Sequence, residues 1–383
     1  MDFDFSPEQK EIQHQARRML AECCDLRFVR RVLDGSLNGD ADGGNAVAHM
    51  LWRQVAELGW LGAAIPEAYG GLGLGGSTLA LIAEELGRAL APLPVAASIY
   101  LAAPCVLHAG TPAQCSTLLP DLASGERIAT LATAEGLVGI GIGELAAQRA
   151  QVRDGRLSGV KLPVPDGMAA HWAVVSAQGD EGPGLYVVDL QGLGVQRRPL
   201  HSLDSTKPLA RIEFQATPAQ RLTGPTAAAA ALQRVLDEAA VWLAFEQIGG
   251  ADAALALSVE HARTRHAFGR AIGSFQGIKH KLADMYVRNQ LARAHACYGA
   301  WALECAPQAL PAAAAAARVA ACEAFEFAAK ECIQTHGGLG ATWEADPHLF
   351  YRRARLLQGL VGCPADWRER LVAELCDAVE SPG

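Results

Sequence analysis

The strongest constraint on this fold is a change in the spacing of apolar residues along the chain, from helical patterns to short strand-like runs and back to helical patterns. Between about residues 126 and 216, apolar runs such as residues 172–175 and 185–188 are separated by clusters of Gly, Asp and Pro. Such punctuation is typical of β-structure. On both sides of this stretch, apolar residues recur at helical spacing. We therefore predict an α+β protein with a small β domain between two helical regions.

The predicted domain boundaries follow from this change of pattern and from residues that mark helix starts and turns. At roughly 150 residues per domain, 383 residues suffice for two or three domains. We predict an N-terminal helical domain at residues 1–124, a middle β domain at 125–222 and a C-terminal helical domain at 223–383. Ser6 and Pro7 predict the start of the first helix. Asp154 and Gly155 predict a hairpin turn in the β domain.

The composition excludes several classes of function. With 33 Lys and Arg against 41 Asp and Glu, the formal net charge is −8, which argues against nucleic acid as the main partner. Residues 1–5 contain acid where a secretory signal contains base. Residues 93–107 are apolar but interrupted by prolines, so we predict a buried helix or packed loop and no membrane span. The 10 cysteines show no Cys-x-x-Cys pair, which indicates free thiols in a cytoplasmic protein.

Other candidate motifs are weak. The Gly alternation at residues 139–143 lacks the strand–helix context of a dinucleotide site. His261 and His266 are five residues apart, off the spacing that places two ligands on one helix face, so we predict no metal site. No nucleophile-elbow or phosphate-loop pattern is present in the sequence. These observations leave hydrolase and nucleoside-triphosphatase functions without support.

Three segments resemble the acyl-CoA dehydrogenase family, flavoproteins that desaturate acyl-CoA thioesters between Cα and Cβ. The first is Ile-Pro-Glu followed by Tyr-Gly-Gly-Leu-Gly within residues 65–73. The second, Arg-His-Ala-Phe-Gly-Arg-Ala-Ile-Gly-Ser-Phe-Gln, covers residues 265–276. The third, Gln-Thr-His-Gly-Gly-Leu-Gly, covers residues 334–340. The order and separation of the last two are the specific part of the resemblance, which covers nearly the whole chain. It implies the family's α–β–α fold, in which the middle domain is a small β-barrel and the C-terminal domain is a four-helix bundle.

The resemblance implies that the chain binds FAD through the second and third segments. In the family, residues at the positions of Arg265 and Gln276 reach the adenosine half of FAD across a subunit interface, and Phe268 packs at the same place. A diphosphate needs a fixed cation and close N–H donors. The glycine pair of the third segment would let the backbone approach it. The predicted cofactor-binding residues are Arg265, Phe268, Ile272, Gln276, Gln334, Gly337 and Gly338.

Dehydrogenation also needs a base to remove the α-proton. The family's usual glutamate position falls here on Val361, which cannot accept a proton. Some members carry the base on the helix before the second segment, and that position is Ala239. Glu246 lies two helical turns further along nearly the same face, whereas Glu238 is rotated by about 100°. We predict Glu246 as the catalytic base; Glu238 is the alternative base, and Glu246 as a buried structural glutamate is the competing explanation.

The resemblance leaves the role of this chain in its assembly open. Residues 244–251, Ala-Phe-Glu-Gln-Ile-Gly-Gly-Ala, resemble a bacterial subgroup that acts on CoA thioesters of steroid side chains. In that subgroup heterotetramers of two related subunits are common, and one subunit alone can bring the base. We predict an FAD-dependent acyl-CoA dehydrogenase that forms a homo- or heterotetramer and passes electrons to an electron-transferring flavoprotein. The alternatives are a non-catalytic subunit that completes a partner's flavin site, and a monooxygenase on the same fold.

The middle domain departs from the family pattern. Members usually carry a Trp-Ile-Thr stretch beside the flavin ring, and this chain has Lys-Leu-Pro-Val-Pro-Asp-Gly at residues 161–167. Prolines therefore replace the stacking tryptophan and the hydroxyl. For this reason we assign no flavin contact to the middle domain. The identity of the acyl group is not encoded in any motif that the sequence presents.

Overall fold

The N-terminal region of the computed structural model is helical, and residues 3–38, 41–136 and 145–380 of the chain are described. The Ser6 side chain accepts a hydrogen bond from the Gln9 backbone, and the Gln9 side chain returns one to Ser6. This capping box starts the first helix where the sequence predicts it. The helices are α1 (Pro7–Cys23), α2 (Leu26–Asn38), α3 (Ala41–Glu57), α4 (Gly76–Arg88), α5 (Ala103–Ala109) and α6 (Pro112–Ala123).

Most of the apolar segment at residues 93–107 is buried and helical, which is one of the two forms that the sequence predicts. It forms a π-helical stretch, Ala96–Ala102, that continues into α5. Tyr100 in this stretch is fully buried. Among the described residues, no helix has both the length and the apolar character needed to span a membrane.

The middle region is a mixed sheet. Its strands are β1 (Ala129–Ala132), β2 (Gln151–Arg153), β3 (Arg156–Pro165), β4 (Trp172–Gly179), β5 (Gly182–Asp189), β6 (Val195–Leu200), β7 (Leu209–Pro218) and β8 (Gln220–Arg221). Their order is β6-β7-β3-β2-β4-β5-β8, and β1 pairs with β4. Strands β1 and β2 run parallel to β4, and the other pairs are antiparallel.

The predicted Asp-Gly hairpin is confirmed between β2 and β3. Asp154 and Gly155 have φ angles of 49° and 70°, and a two-residue hairpin turn of this type needs positive φ at both positions. The glycine alternation at residues 139–143 lies outside the described residues.

The C-terminal region is helical again. Its elements are α7 (Ala228–Thr264), a small hairpin of β9 (His266–Ala267) and β10 (Arg270–Ala271), α8 (Gln276–Cys305), α9 (Leu310–His336), α10 (Pro347–Gln358) and α11 (Pro364–Glu380). The helix, sheet, helix order and the α+β class predicted from the sequence are confirmed.

The 37-residue helix α7 is the centre of the molecule. It packs against α4 on one side and α9 on another, and every residue from 235 to 251 is buried. Two glycines let the backbones of α4 and α7 touch. A Cβ on Gly87 would lie 1.8 Å from the Glu246 carbonyl oxygen, and one on Gly249 would lie 1.9 Å from that of Glu84. Because residues 235–251 of α7 are all buried, no face of this part of the helix is distinguished as the side of an open cleft.

Candidate functional site

The second family segment forms a strained, exposed hairpin at the end of α7. The Ile272 N–H donates to the Arg265 carbonyl at 2.8 Å, and Phe268 and Gly269 occupy the turn with φ angles of 53° and 81°. A bulky residue in the left-handed region costs about 1 kcal/mol or more. Phe268 is nevertheless 96% exposed. Strain combined with an exposed aromatic ring indicates a surface that another molecule covers.

The third segment ends α9 beside this hairpin. Gly337 has a φ of 63°, and a Cβ added to Gly337 or Gly338 would meet no atom within 4 Å. The preceding His336 ring stacks on His261 of α7, with centroids 4.0 Å apart and planes 24° apart. Burial, followed by the electrostatic effects of His336 and Arg265, lowers the pKa of His261. The fold therefore brings Arg265, two imidazoles and an open glycine backbone into one neighbourhood.

The donors in this neighbourhood fit the phosphate groups of a dinucleotide. A guanidinium and open backbone N–H groups are the usual partners of a diphosphate. Gln276 begins α8 just after the hairpin, and its amide nitrogen lies 3.4 Å from His280 Nε2. Gln334 is exposed in the last turn of α9, and Ile272 is partly buried at the base of the hairpin.

Glu246, the predicted base, lies at a junction of all three regions. Its Oε1 is 3.1 Å from Lys207 Nζ and 3.9 Å from Arg353 Nη1, and the residue is 1% exposed. Lys207 also donates to the Leu93 carbonyl at 3.3 Å. A carboxylate from α7 is therefore balanced by a lysine from the β region and an arginine from α10.

Two further carboxylates complete what we call the junction cluster, defined as Asp166, Asp204, Lys207, Glu246 and Arg353. Arg353 Nε donates to Asp204 Oδ2 at 2.6 Å. Burial opposes ionisation of Asp204, but the charge of Arg353 and hydrogen bonds from Thr206 and Arg353 outweigh it and lower the pKa of that carboxyl. Burial raises the pKa of Asp166 to about 6. The cluster thus combines two cations with three acids, and burial makes Asp166 ionise less readily than Asp204.

The Tyr100 hydroxyl lies against this cluster. It is buried with no hydrogen-bond partner in the described part of the chain, and burial followed by the charge of Glu246 raises the pKa of Tyr100 well above its usual range. Its ring lies 5.7 Å from that of Trp242 on α7. Bulky aromatic side chains therefore fill the space between the π-helical stretch and α7.

A cavity of about 170 Å³ is lined by Trp242 and by Glu238, and Glu246 is not among its lining residues. His108 Nε2 lies 3.0 Å from Glu238 Oε2, and Arg234 Nε donates to Glu238 Oε1 at 2.7 Å. Burial opposes ionisation of Glu238, but these two partners outweigh it and hold its pKa below the usual value. Glu238, the alternative base, is thus a buried carboxylate that pairs with His108 and Arg234.

The position of the family's usual base holds no acid. Val361 is fully buried, and its carbonyl accepts a hydrogen bond from Trp367 Nε1 at 3.0 Å.

The β-domain segment at residues 161–167 begins with a buried lysine that pairs with a glutamate of the same domain. Lys161 is 0% exposed and pairs with Glu135 at 2.7 Å, and burial opposed by this pairing lowers the pKa of Lys161 to about 8.

Sequence reasoning missed the partners of its own candidates. Lys207 and Arg353 lie 39 or more residues from Glu246 in the chain, and His108 is separated from Glu238 by 130 positions. No local motif signals such pairs. His336, in contrast, stands inside the third segment, where its place before the glycine pair could have marked it.

Comparison with known proteins identifies the family. The acyl-CoA dehydrogenase N-terminal domain matches residues 6–126, and the acyl-CoA dehydrogenase C-terminal domain matches residues 228–372. The chain belongs to the acyl-CoA dehydrogenase family. This acyl-CoA dehydrogenase is therefore an oxidoreductase of a flavoprotein family, as the three sequence segments predict.

Individual relatives agree with this assignment. The acyl-CoA dehydrogenase IpdE2 of Mycobacterium tuberculosis is 34% identical over 95% of this chain and 98% of its own length. FadE34 of the same organism is 35% identical over 96% of this chain, which spans only 47% of FadE34. A solved variant of the Tcur3481–Tcur3483 steroid ACAD superimposes with a TM-score of 0.83 at 31% identity, covering 98% of this chain and 99% of the solved one.

Proposed function

We propose that this acyl-CoA dehydrogenase chain acts as a subunit that completes the FAD site of a related partner chain. The assembly would be a heterotetramer that converts an acyl-CoA thioester to the trans-2-enoyl-CoA. The observation that carries this proposal is the burial of Glu246 against Lys207, because a carboxylate in a sealed ion pair has no access to a substrate proton. The absence of an acid at Val361 supports it, and Glu238, the alternative base, is held in a buried pair with His108 and Arg234.

The outward-facing groups would serve the partner's cofactor. Arg265 would neutralise phosphate charge, Gln276 would donate to the adenosine half, and the open backbone at Gly337 would accept close approach of the diphosphate. Phe268 would be covered on assembly, which offsets the strain of its backbone. Bound FAD would supply the hydride acceptor for the β-carbon, and reduced flavin would pass its electrons to an electron-transferring flavoprotein.

The substrate class that we propose is the CoA thioester of a steroid side chain. The support is the likeness to the Tcur3481–Tcur3483 steroid ACAD, which is 31% identical over nearly the full chain. We propose a cytoplasmic location because all 10 cysteines are free thiols, which suits a reducing compartment.

A second candidate is that this chain itself carries the base, with Glu246 in that role. One observation favours it: Glu246 Oε1 is buried and receives no hydrogen bond from the described residues. A carboxylate oxygen without a donor is a stronger proton acceptor than a fully bonded one. On this reading Lys207 would have to move away from the 3.1 Å contact during turnover.

Purification separates the two candidates. The chain is expressed alone and together with a related subunit from the same source, and flavin absorbance and turnover of a steroid side-chain CoA thioester are measured with an artificial electron acceptor. We expect the chain alone to be colourless and inactive, and the co-expressed assembly to be yellow and active. A yellow, active protein without a partner, whose turnover disappears in Glu246→Gln, would overturn the first candidate and establish the second.

A matched pair of variants tests the cofactor contact. In the co-expressed assembly, Arg265→Ala should lower the flavin content severalfold, because a positioned cation is removed. Arg263→Ala, which removes an exposed arginine two residues earlier on α7, should leave it unchanged. Equal flavin content in both variants would contradict the assignment of Arg265.

A further inference from the structure

The stacked pair of His261 and His336 has no role in the function proposed above. The rings join the last turns of α7 and α9, with centroids 4.0 Å apart. His261 lies four residues before Arg265, and His336 immediately precedes Gly337. Arg265 and the Gly337 backbone are the two groups that we expect to contact phosphate. We infer that the pair is a proton-dependent phosphate subsite, in which one imidazole takes up a proton when the diphosphate of FAD binds. This inference rests on the proposed function of the glycine and arginine segments.

The tautomer of His336 gives the inference its chemistry. His336 Nδ1 lies 2.8 Å from the Cys332 carbonyl oxygen. A carbonyl oxygen only accepts, so Nδ1 must carry the hydrogen. In the neutral ring Nε2 therefore holds a lone pair, which repels a phosphate oxygen. Protonation converts the same atom into a charged donor, and the described residues offer no hydrogen-bond partner to Nε2 in its place.

The surrounding charges favour one proton rather than two. The groups that act on the pair are Arg265 from the end of α7 and Cys332 from α9, whose Sγ lies 4.0 Å from His336 Nδ1. On the α8 side, Lys281 is neutralised by Glu331 at 2.6 Å. Two imidazolium rings at the observed separation would repel each other. Burial, followed by the electrostatic effects of His336 and Arg265, lowers the pKa of His261, and a bound diphosphate would supply the negative charge that retains one proton on the pair.

Calorimetry tests this directly, without measuring turnover. The co-expressed assembly is stripped of flavin and titrated with FAD at pH 6, 7 and 8, in two buffers of different ionisation heat. We expect net proton uptake of up to one per site near pH 7. If the diphosphate raises one imidazole pKa by about one unit, affinity falls by about tenfold between the low and high end of its titration.

Variants assign the proton to the pair. His336→Gln and His261→Gln should each abolish proton uptake and flatten the pH dependence, while His14→Gln, which removes an exposed imidazole on α1, should change neither. Arg265→Ala should weaken binding at every pH and retain the pH slope. FAD binding without proton uptake, or with uptake that survives both histidine variants, would overturn the inference and leave the proposed function intact. Failure of the wild-type assembly to bind FAD at any pH would instead overturn the proposed function.

Discussion

The contact between Glu246 and Lys207 yields the sharpest prediction, because a structural ion pair and a catalytic base respond differently to the same substitution. Glu246→Gln removes the negative charge and leaves Lys207 buried beside Arg353. Removing one partner of a buried ion pair costs about 3–5 kcal/mol, since the remaining charge is left uncompensated. The pair is 3.1 Å apart, and both side chains are at most 6% exposed. We therefore expect Glu246→Gln to lower the free energy of unfolding by about 3 kcal/mol.

The double variant makes this expectation specific. Lys207→Met in the Glu246→Gln background removes the stranded cation, and replacing a whole buried pair by neutral groups is often close to neutral. We expect the double variant to recover about 2 kcal/mol of the loss, as a coupling energy of this size is typical for residues in direct contact. Arg353 retains Asp204 as its partner at 2.6 Å, so recovery need not be complete.

Urea and thermal unfolding, followed by tryptophan fluorescence and circular dichroism, measure these energies. Arg368→Met is the control, because it breaks the ion pair with Glu323, in which both side chains are about half exposed. Exposed pairs contribute about 0–1 kcal/mol. Flavin content and turnover of the co-expressed assembly are recorded for the same proteins. Unchanged stability in Glu246→Gln together with abolished turnover would refute the structural role and assign Glu246 as the base.

Three further predictions concern the exposed hairpin, the junction cluster and the contact between α4 and α7. Phe268→Gly should stabilise the isolated chain by about 1 kcal/mol, because glycine adopts the positive φ without strain, and should weaken flavin retention in the co-expressed assembly; a destabilised chain in urea unfolding would contradict this. Burial raises the pKa of Asp166 from 3.8 to about 6, so the folded state retains this proton more tightly and loses stability as pH rises through that window. Between pH 4 and pH 8, the free energy of unfolding of Asp166→Asn should therefore rise by about 2–3 kcal/mol relative to that of the parent protein. Parallel plots of unfolding free energy against pH for the two proteins would contradict this prediction. Gly87→Ala should lower the free energy of unfolding by at least about 3 kcal/mol, or prevent folding, because the new Cβ would lie 1.8 Å from the Glu246 carbonyl oxygen. Gly277→Ala is the control, since a Cβ at Gly277 would meet no atom within 4 Å, and it should be tolerated in the same assay.

The sequence determined those features that depend on neighbours along the chain. The capping box at Ser6 and the Asp154–Gly155 hairpin involve residues within three positions of each other, so local propensity and hydrogen bonding decide them. The change from helical to strand-like texture likewise depends on short-range periodicity. The family segments at residues 265–276 and 334–340 are contiguous motifs, so the sequence alone is sufficient to indicate the family.

Tertiary packing decided the surroundings of the candidate acids. Glu246 and Ala239 lie on nearly the same face of α7, but residues 235–251 are all buried, so this face is not distinguished from the others by an open cleft. Lys207 and Arg353 reach Glu246 from separate regions of the chain, and His108 reaches Glu238 in the same way. Charge balance inside a protein is a property of groups that are close in space. The sequence alone therefore named the carboxylates, and only the fold determined which cations they face.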